Sequence, residues 1–178
     1  MCVTAGLCLI EAQAFGGNDN DHKRYGYVKL NGIVVWQASW HGEYPRNRGA
    51  NVMIVDPSSC TLQEWQSFDT VAVRDAAARL RDYLQGLIDG TVLVGVSCDS
   101  ADTYLSDALP TLSALGADVS DVGFRGAWVF VAAKGDSSKT MLDKQATEAA
   151  EPDARQPHIN VTYGTFYLLQ QITMRAAS

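Results

Sequence analysis

The sequence predicts a mixed α/β fold (α+β) in a single domain: mixed sheets of short strands, at least one with parallel or mixed pairing, flanked by two or three helices. Three observations predict it. Short apolar segments bounded by turn residues outnumber segments of helical period. Both kinds of segment occur in one continuous unit, and the sequence contains no internal repeat or low-complexity tract. The length of 178 residues is typical of one domain, since domains commonly have about 100–200 residues.

The N-terminal part of the chain is predicted to be β-rich. Residues 3–15 are predicted to form a strand, because their apolar residues follow no helical period. Residues 25–30 and 33–40 flank Asn31-Gly32, which is the strongest short-range signal for a two-residue hairpin. The oxygen-rich segment 18–21 lacks the closing Glu of a calcium loop and is interpreted as a polar loop, as are residues 41–49.

The middle of the chain changes from strands to a helix and back. Residues 50–55 are predicted to be a buried strand, with residues 62–68 returning beside it. Residues 91–97 are continuously apolar, which favours a central strand of a sheet. Between them, residues 74–88 are predicted to be helical and to end at Gly90, because apolar residues recur there at helical spacing: Ala76, Leu80, Leu84 and Leu87.

The C-terminal part again mixes both types. A helix is predicted for residues 106–115, with Pro110 near its start and Gly116 at its end. Residues 127–133 are predicted to be an apolar strand. Residues 134–157 are polar and contain two prolines, so we expect a loop or excursion. Residues 158–174 are rich in β-branched and aromatic residues and are predicted to form one or two closing strands.

Charge and motif content exclude several classes of function. The net charge of −6 argues against a nucleic-acid partner, which needs a basic surface. No stretch of about 18 apolar residues is present, so we predict no membrane-spanning segment. The chain has no GxSxG, HExxH or glycine-rich phosphate loop. The sequence therefore offers no candidate catalytic residues, and we expect no metal and no cofactor.

The four cysteines allow two disulfides, with three possible connectivities. Cys2 and Cys8 would lie about 20 Å apart on one extended strand, so each needs a partner elsewhere unless the chain turns between them. If the protein is extracellular, Cys60 and Cys98 are expected to be bonded. Free, buried thiols are the alternative.

Short motifs follow one another in a fixed order between Arg48 and Gly135. They are Arg48-Gly49, Asn51-Val52-Met53-Ile54-Val55-Asp56-Pro57, Phe68-Asp69-Thr70, Asp89-Gly90-Thr91-Val92-Leu93-Val94, Leu115-Gly116, Gly123-Phe124-Arg125, Trp128-Val129-Phe130 and Lys134-Gly135. Each is weak alone, but together they resemble the domain shared by interleukin-like EMT inducer and the pancreatic-derived factor, the PANDER-like family. A related domain forms the non-catalytic, sugar-binding stem of protein O-mannose N-acetylglucosaminyltransferase.

This resemblance implies a secreted ligand or a glycan-binding module without enzymatic activity. It places residues 1–178 in one domain of this family, with a motif core at 48–135 and a β-rich C-terminal segment at 158–175. We expect an extracellular location, although residues 1–15 show no secretory signal.

The resemblance also implies a sugar site, because the stem domain binds sugar through residues that correspond here to Arg48, Asp99 and Arg125. Arg offers five donors in a fixed fork and Asp offers only acceptors, so the combination suits adjacent sugar hydroxyls. The segment 97–102 is one residue longer than in the family, so Cys98 or Asp102 is an alternative acceptor. Gly126 stands where the family usually has Asp.

Two tryptophans are further candidates for sugar contact, since aromatic rings stack on the C–H faces of sugars. They are Trp128, for which core packing is the alternative, and Trp40, for which packing in the hairpin is the alternative. A competing hypothesis makes Arg48 and Arg125 scaffold residues that form ion pairs with Asp69 or Asp56.

The leading functional hypothesis is therefore a lectin-like, non-enzymatic module that binds glycans of the N-acetylglucosamine type. The alternatives are a secreted, cytokine-like ligand of a protein receptor, or an accessory domain of a glycan-processing enzyme. Glycans or glycoproteins are the expected partners. A homo-oligomer is also expected, with the apolar strand face of residues 163–174 as the subunit contact.

Overall fold

The computed structural model of the protein describes residues 7–17, 25–38, 40–41, 44–145, 156–163 and 168–169. It confirms the mixed α+β class. The strands and helices are, in chain order, β1 (Cys8–Gln13), β2 (Phe15–Gly16), β3 (Tyr27–Leu30), β4 (Ile33–Gln37), β5 (Trp40–His41), β6 (Tyr44–Pro45), β7 (Gly49–Asp56), β8 (Thr61–Phe68), α1 (Ala76–Gly86), β9 (Val92–Asp99), a 3₁₀ turn (Ser106–Ala108), α2 (Leu109–Ala114), β10 (Ala127–Ala133), β11 (Asp136–Gln145), β12 (His158–Tyr163) and β13 (Leu168–Leu169).

The larger sheet has the strand order β11-β10-β9-β7-β8, and all of these neighbours are antiparallel. The short strand β2 also belongs to this sheet and pairs in parallel with the end of β9. The pairing is therefore mixed, as predicted. Because β9 lies between β7 and β10, the central position predicted for residues 91–97 is confirmed.

The second sheet has the strand order β13-β12-β1-β3-β4 and is antiparallel throughout. Its β3–β4 hairpin turns at Asn31 and Gly32, whose φ angles of 48° and 79° are both positive, as a type I′ turn requires. The predicted hairpin and the predicted closing strands are thus confirmed. In the described part of the chain, strands β5 and β6 pair with each other and with no other strand, within a region expected to be mostly loop.

Two apolar cores separate three layers. One core lies between the two sheets, and the other lies between the larger sheet and the helices. β9 contributes to both, because Val94 and Val96 face the second sheet while Leu93 faces the helices. In β10, Val129 faces the second sheet and Trp128 faces the helices. Most positions of these strands are apolar because both of their faces are buried.

The helices follow the predicted pattern. α1 lies within the predicted residues 74–88 and buries Leu80 and Leu84. The 3₁₀ turn and α2 together cover the second predicted helix, with Pro110 in the first turn, where a missing N–H is tolerated. α1 has 11 residues, and no helix in the described part of the chain is long and apolar enough to cross a membrane.

The prediction of a loop for residues 134–157 is wrong over the first half of that range, where β11 forms an edge strand of ten residues. Its sequence is polar because an edge strand carries much of its surface in solvent. This polar segment therefore has the composition of a loop, although it is a strand that pairs with β10 along most of its length. Residues 146–155 lie outside the described part of the chain.

A disulfide joins Cys8 in β1 to Cys60 in the turn between β7 and β8, and so it links the two sheets. The expectation that Cys98 is also bonded is wrong, since Cys98 is a free, buried thiol. It faces the core between the sheets, and burial raises the pKa of this thiol. Cys98 is therefore an unreactive packing residue. Cys2 lies outside the described residues.

Candidate functional site

Three strand ends meet at one end of the larger sheet, where β7 begins, β9 ends and β10 begins. We call this end of the sheet, across the strands, the rim. Gly49 is the cross-strand partner of Cys98, and Val96 is the partner of Val129. Because the three strands are antiparallel, Arg48, Asp99 and Arg125 all lie at the rim.

Asp99 ends β9 in an unusual backbone conformation. Its φ is 67°, and the N–H of Ser100 donates to the carbonyl oxygen of Cys98 at 2.8 Å. A hydrogen bond from the N–H of one residue to the carbonyl oxygen two positions earlier, with a positive φ at the residue between them, defines a γ-turn of the rare, strained kind. Strained backbone of this kind clusters at binding and active sites. The turn fixes the direction in which the Asp99 carboxylate leaves the sheet.

Arg125 is held by the segment that follows Asp99. Its φ of 61° is also positive, and its N–H donates to the hydroxyl oxygen of Ser100 at 2.8 Å. The buried Ser100 hydroxyl in turn donates to the Asp102 carboxylate at 2.5 Å. The loop before β10 is therefore tied to the turn after β9 by a chain of two hydrogen bonds.

The Asp99 and Arg125 side chains lie side by side over Gly17, which follows β2. A Cβ atom on Gly17 would lie 2.7 Å from Oδ1 of Asp99 and 2.9 Å from Cγ of Arg125, so a larger residue there would displace these side chains. The Arg125 guanidinium carbon lies 5.2 Å from the ring centroid of Phe124, which is 54% exposed. The rim thus presents an acceptor, a fork of donors and an exposed aromatic ring together.

Arg48 is arranged differently from the other two candidates. Its Nε and Nη2 donate to the two carboxylate oxygens of Asp69 at 3.2 and 3.0 Å. Oδ1 of Asp69 also accepts hydrogen bonds from the N–H groups of Val71 and Ala72 at 3.1 and 3.0 Å. Arg48 therefore forms the ion pair with Asp69 that the competing hypothesis expects. This pair joins the start of β7 to the chain that leaves β8.

The backbone around this ion pair is closely packed. Gly49 has a φ of 95°, and a Cβ atom there would lie 2.3 Å from the carbonyl oxygen of Phe68. Thr70 is fully buried and its hydroxyl donates to the carbonyl oxygen of Ala101 at 3.1 Å. Tyr104 N–H donates to the carbonyl oxygen of Thr70 at 2.8 Å. Two sequence motifs, Arg48-Gly49 and Phe68-Asp69-Thr70, thus support the segment that carries Asp99.

The electrostatics distinguish Asp69 from Asp56, the other proposed ion-pair partner. Burial raises the pKa of Asp69, but hydrogen bonds from Arg48 and the Ala72 N–H outweigh burial and hold it below its usual value. Asp56 lies at the opposite end of β7, where hydrogen bonds from Ser58 and Ser59 lower its pKa to about 2. Asp56 is therefore a turn residue and does not belong to the rim.

The remaining candidates are placed as follows. Trp128 is 1% exposed and stacks on Phe130 in the helix-side core, so it offers no surface to a sugar, and core packing is the correct interpretation. Cys98 is buried, which excludes it as the acceptor. Asp102 accepts from Ser100 and supports the turn. Trp40 forms part of β5, but its side chain lies outside the described part of the structure, as does the segment 18–21.

Three rim residues were not among the candidates. Phe124 is exposed beside Arg125, and its signal was its place between Gly123 and Arg125 in a non-strand segment. Gly17 and Ser100 gave no signal, because their roles depend on packing between segments far apart in the sequence.

Comparison with known proteins places the chain in a family. The family model described as interleukin-like EMT inducer matches residues 48–136. The human cell migration-inducing and hyaluronan-binding protein is 32% identical over 114 residues, which are 63% of this chain and 8% of that protein. Mouse protein FAM3D is 35% identical over 99 residues, 54% of this chain and 44% of its own length. Mouse protein FAM3A is 34% identical over 101 residues, 54% of this chain and 42% of its own length.

The chain therefore spans less than half the length of these relatives. The family match begins at Arg48, includes the Asp99 turn and the Phe124-Arg125 segment, and covers half of the chain. The protein belongs to the interleukin-like EMT inducer family.

Proposed function

We propose that this protein is a non-enzymatic carbohydrate-binding module that binds N-acetylglucosamine-type glycans at the rim. The observation that carries the proposal is that the Asp99 carboxylate and the aliphatic stem of Arg125 meet over Gly17, beside the exposed ring of Phe124. A carboxylate and a guanidinium carried by two neighbouring side chains offer acceptors and donors to hydroxyl and acetamido groups. The ring offers a face to the C–H groups of the sugar.

The rigid support of these two side chains favours binding. Both residues have positive φ angles, and the Ser100 hydroxyl joins their two segments. A preorganised site loses little conformational entropy when the ligand binds. Asp99 lies at the partly exposed end of its strand, so a ligand can reach the strained turn.

Arg48 has a supporting role in this proposal. Two of its nitrogens donate to Asp69, and that pair holds the start of β7 against the residues after β8. We therefore assign ligand binding to Asp99 and Arg125, with Phe124 as the stacking surface. Arg48 positions the rim on which they stand.

Hyaluronan is a specific candidate within this ligand class, because one relative is named a hyaluronan-binding protein. Hyaluronan alternates N-acetylglucosamine with glucuronate, and a guanidinium binds carboxylates through paired, charge-assisted hydrogen bonds. The net charge of −6 opposes a polyanion at long range. Affinity for hyaluronan should therefore rise with moderate salt, whereas affinity for neutral oligosaccharides of N-acetylglucosamine should change little.

The test is calorimetric titration of the purified chain with oligosaccharides of N-acetylglucosamine, hyaluronan oligosaccharides and glucose oligomers, which lack the acetamido group. Asp99→Asn keeps the backbone conformation, because Asn tolerates positive φ. Gly17→Ala pushes the Asp99 and Arg125 side chains apart without removing either. Each change should weaken binding about tenfold or more, since an unpaired polar group costs about 1–3 kcal/mol.

Asp107→Asn is the matched control, because it makes the same change at an exposed position beside α2. It should leave binding unchanged. Absence of binding to every acetamido sugar at millimolar concentration would overturn the proposal. So would full binding by both Asp99→Asn and Gly17→Ala.

A second candidate function is that of an extracellular ligand of a protein receptor, and membership of a family described as interleukin-like favours it. Binding of the labelled chain to cells distinguishes the two. Binding that is lost after hyaluronidase or glycosidase treatment of the cells supports the glycan proposal. Binding that survives this treatment and resists competition by sugars supports a protein receptor.

We also propose an extracellular location, because a disulfide joins Cys8 and Cys60, and stable disulfides form in oxidising compartments. The chain matches only part of each relative, so a role as accessory domain of a larger glycan-processing protein is a variant of the same proposal.

A further inference from the structure

We propose that β8 is a self-association edge, on which the β8 strand of a second copy of this chain docks in antiparallel orientation with Gln66 near the two-fold axis. The two large sheets would then continue into each other. This surface lies away from Asp99 and Arg125, and the inference does not depend on the glycan proposal.

β8 is an open edge. It is the last strand of the larger sheet and pairs only with β7 among the described residues. Most of its eight residues are exposed, and Trp65 is 47% exposed. Such a strand presents unpaired N–H and carbonyl groups, which are a template for another strand. An exposed indole on this strand adds apolar surface that docking would bury.

The opposite edge of the same sheet is built differently. β11 carries four charged residues along its length: Asp136, Lys139, Asp143 and Lys144. Charges, lysines above all, are the usual device that keeps edge strands from pairing with other chains. β8 has one charged residue, Glu64, and that carboxylate accepts a hydrogen bond from the Gln66 amide at 3.0 Å. One edge is thus protected against pairing, and the other is not.

The second sheet has an uncharged edge on the same side of the molecule. Its last strand, β4, carries Ile33 and Val34, which are 69% and 43% exposed. β12 lies over β10 and β11, and β1 lies over β9, so the strand orders place β4 over the β8 side. Both layers can therefore contribute to one contact. This matters because stable interfaces bury about 1,200–2,000 Å² in total, more than one pair of strands supplies.

A second copy fits this edge because β8 is self-complementary. A bulge interrupts its pairing with β7 near Leu62, which leaves residues 64–68 regular. A two-fold axis at the centre of this segment places Gln66 opposite its own copy, Trp65 opposite Ser67, and Glu64 opposite Phe68. No charge then faces a like charge, and the small Ser67 leaves space for the indole. Closed pairing of one surface with itself is the commonest form of homodimer.

The test is sedimentation velocity over a range of concentrations up to hundreds of micromolar. The wild-type protein should form a concentration-dependent dimer, and added salt should strengthen it, because each chain carries a net charge of −6. Gln66→Glu puts two carboxylates opposite each other at the axis, with the Glu64 carboxylate of each chain beside them. Trp65→Lys removes the apolar contact. Each should raise the dissociation constant at least tenfold.

Ile88→Lys is the matched control for Trp65→Lys, since it introduces the same charge at an exposed apolar residue after α1. It should leave the dimer unchanged, and all three variants should keep the glycan affinity of the wild type. Hydrogen exchange should show the β8 amides becoming protected as concentration rises, while the β11 amides do not. A monomer at every concentration would overturn the proposal, and so would a dimer that Trp65→Lys and Gln66→Glu leave intact.

Discussion

Removal of the Asp69 carboxylate is the sharpest test of how the rim is supported. Asp69→Ala eliminates both hydrogen bonds from Arg48 and leaves the N–H groups of Val71 and Ala72 without their acceptor. The backbone of residues 68–70, which packs against Gly49, loses this attachment. We expect a less stable protein and a looser connection between β7 and β8.

The size of the effect follows from exposure. The Arg48 and Asp69 side chains are 21% and 33% exposed, so solvent screens the ion pair and its contribution is about 1 kcal/mol. The two backbone hydrogen bonds lie near the surface and contribute about 0.5–1 kcal/mol each. Asp69→Ala should therefore cost about 2–3 kcal/mol, or about 5–10 °C in Tm for a domain of this size.

Asp69→Asn separates the two contributions, because the amide oxygen still accepts from Val71 and Ala72 while the charge is gone. It should cost about 1 kcal/mol, close to the cost of Arg48→Ala. Thermal and urea unfolding of the three variants measure this. If Asp69→Asn destabilises as much as Asp69→Ala, the backbone hydrogen bonds are not responsible. If neither variant changes Tm, the ion pair does not support the rim.

Two further expectations concern pH and the disulfide. The folded pKa of Asp69 lies below its unfolded value, so the stability that this group contributes is present above about pH 4 and is lost as pH falls through the folded pKa. Urea unfolding should show a decline over that acidic range that is smaller in Asp69→Asn, and an identical decline in the two proteins would contradict this. Paired Cys8→Ser and Cys60→Ser changes open a loop closed across 52 residues and should cost about 3–4 kcal/mol. A loss below about 1 kcal/mol would contradict this, and would mean that residual structure already restrains the unfolded chain without the disulfide.

Local signals in the sequence predicted most of the elements. The hairpin at Asn31-Gly32 was predictable because its turn chemistry is contained in two residues. α1 was predictable because its buried face repeats at helical spacing. The edge strand β11 was missed because a strand with much of its surface in solvent has the composition of a loop. Predicting an edge strand therefore requires information about its partner strand, and the residues of the edge strand do not contain it.

The candidate site was predictable to a similar extent. The positions of Arg48, Asp99 and Arg125 at strand ends followed from the apolar runs beside them. The ion pair between Arg48 and Asp69 was only one of several alternatives that the sequence allowed, since it joins residues that are 21 positions apart. The nearness of Gly17 to Asp99 depends on β2 crossing from one sheet to the other, and no local pattern reports such a crossing.

The two-sided burial of β9 and β10 has a consequence for where this domain can be cut. The family match, residues 48–136, contains both strands and the helices that cover one of their faces. Their other face, with Val94, Val96 and Val129, is covered by β1, β3 and β12, all outside the matched segment. A fragment trimmed to the match would expose that apolar face to water and would lack Gly17. The autonomous folding unit is therefore larger than the segment that carries the family's motifs.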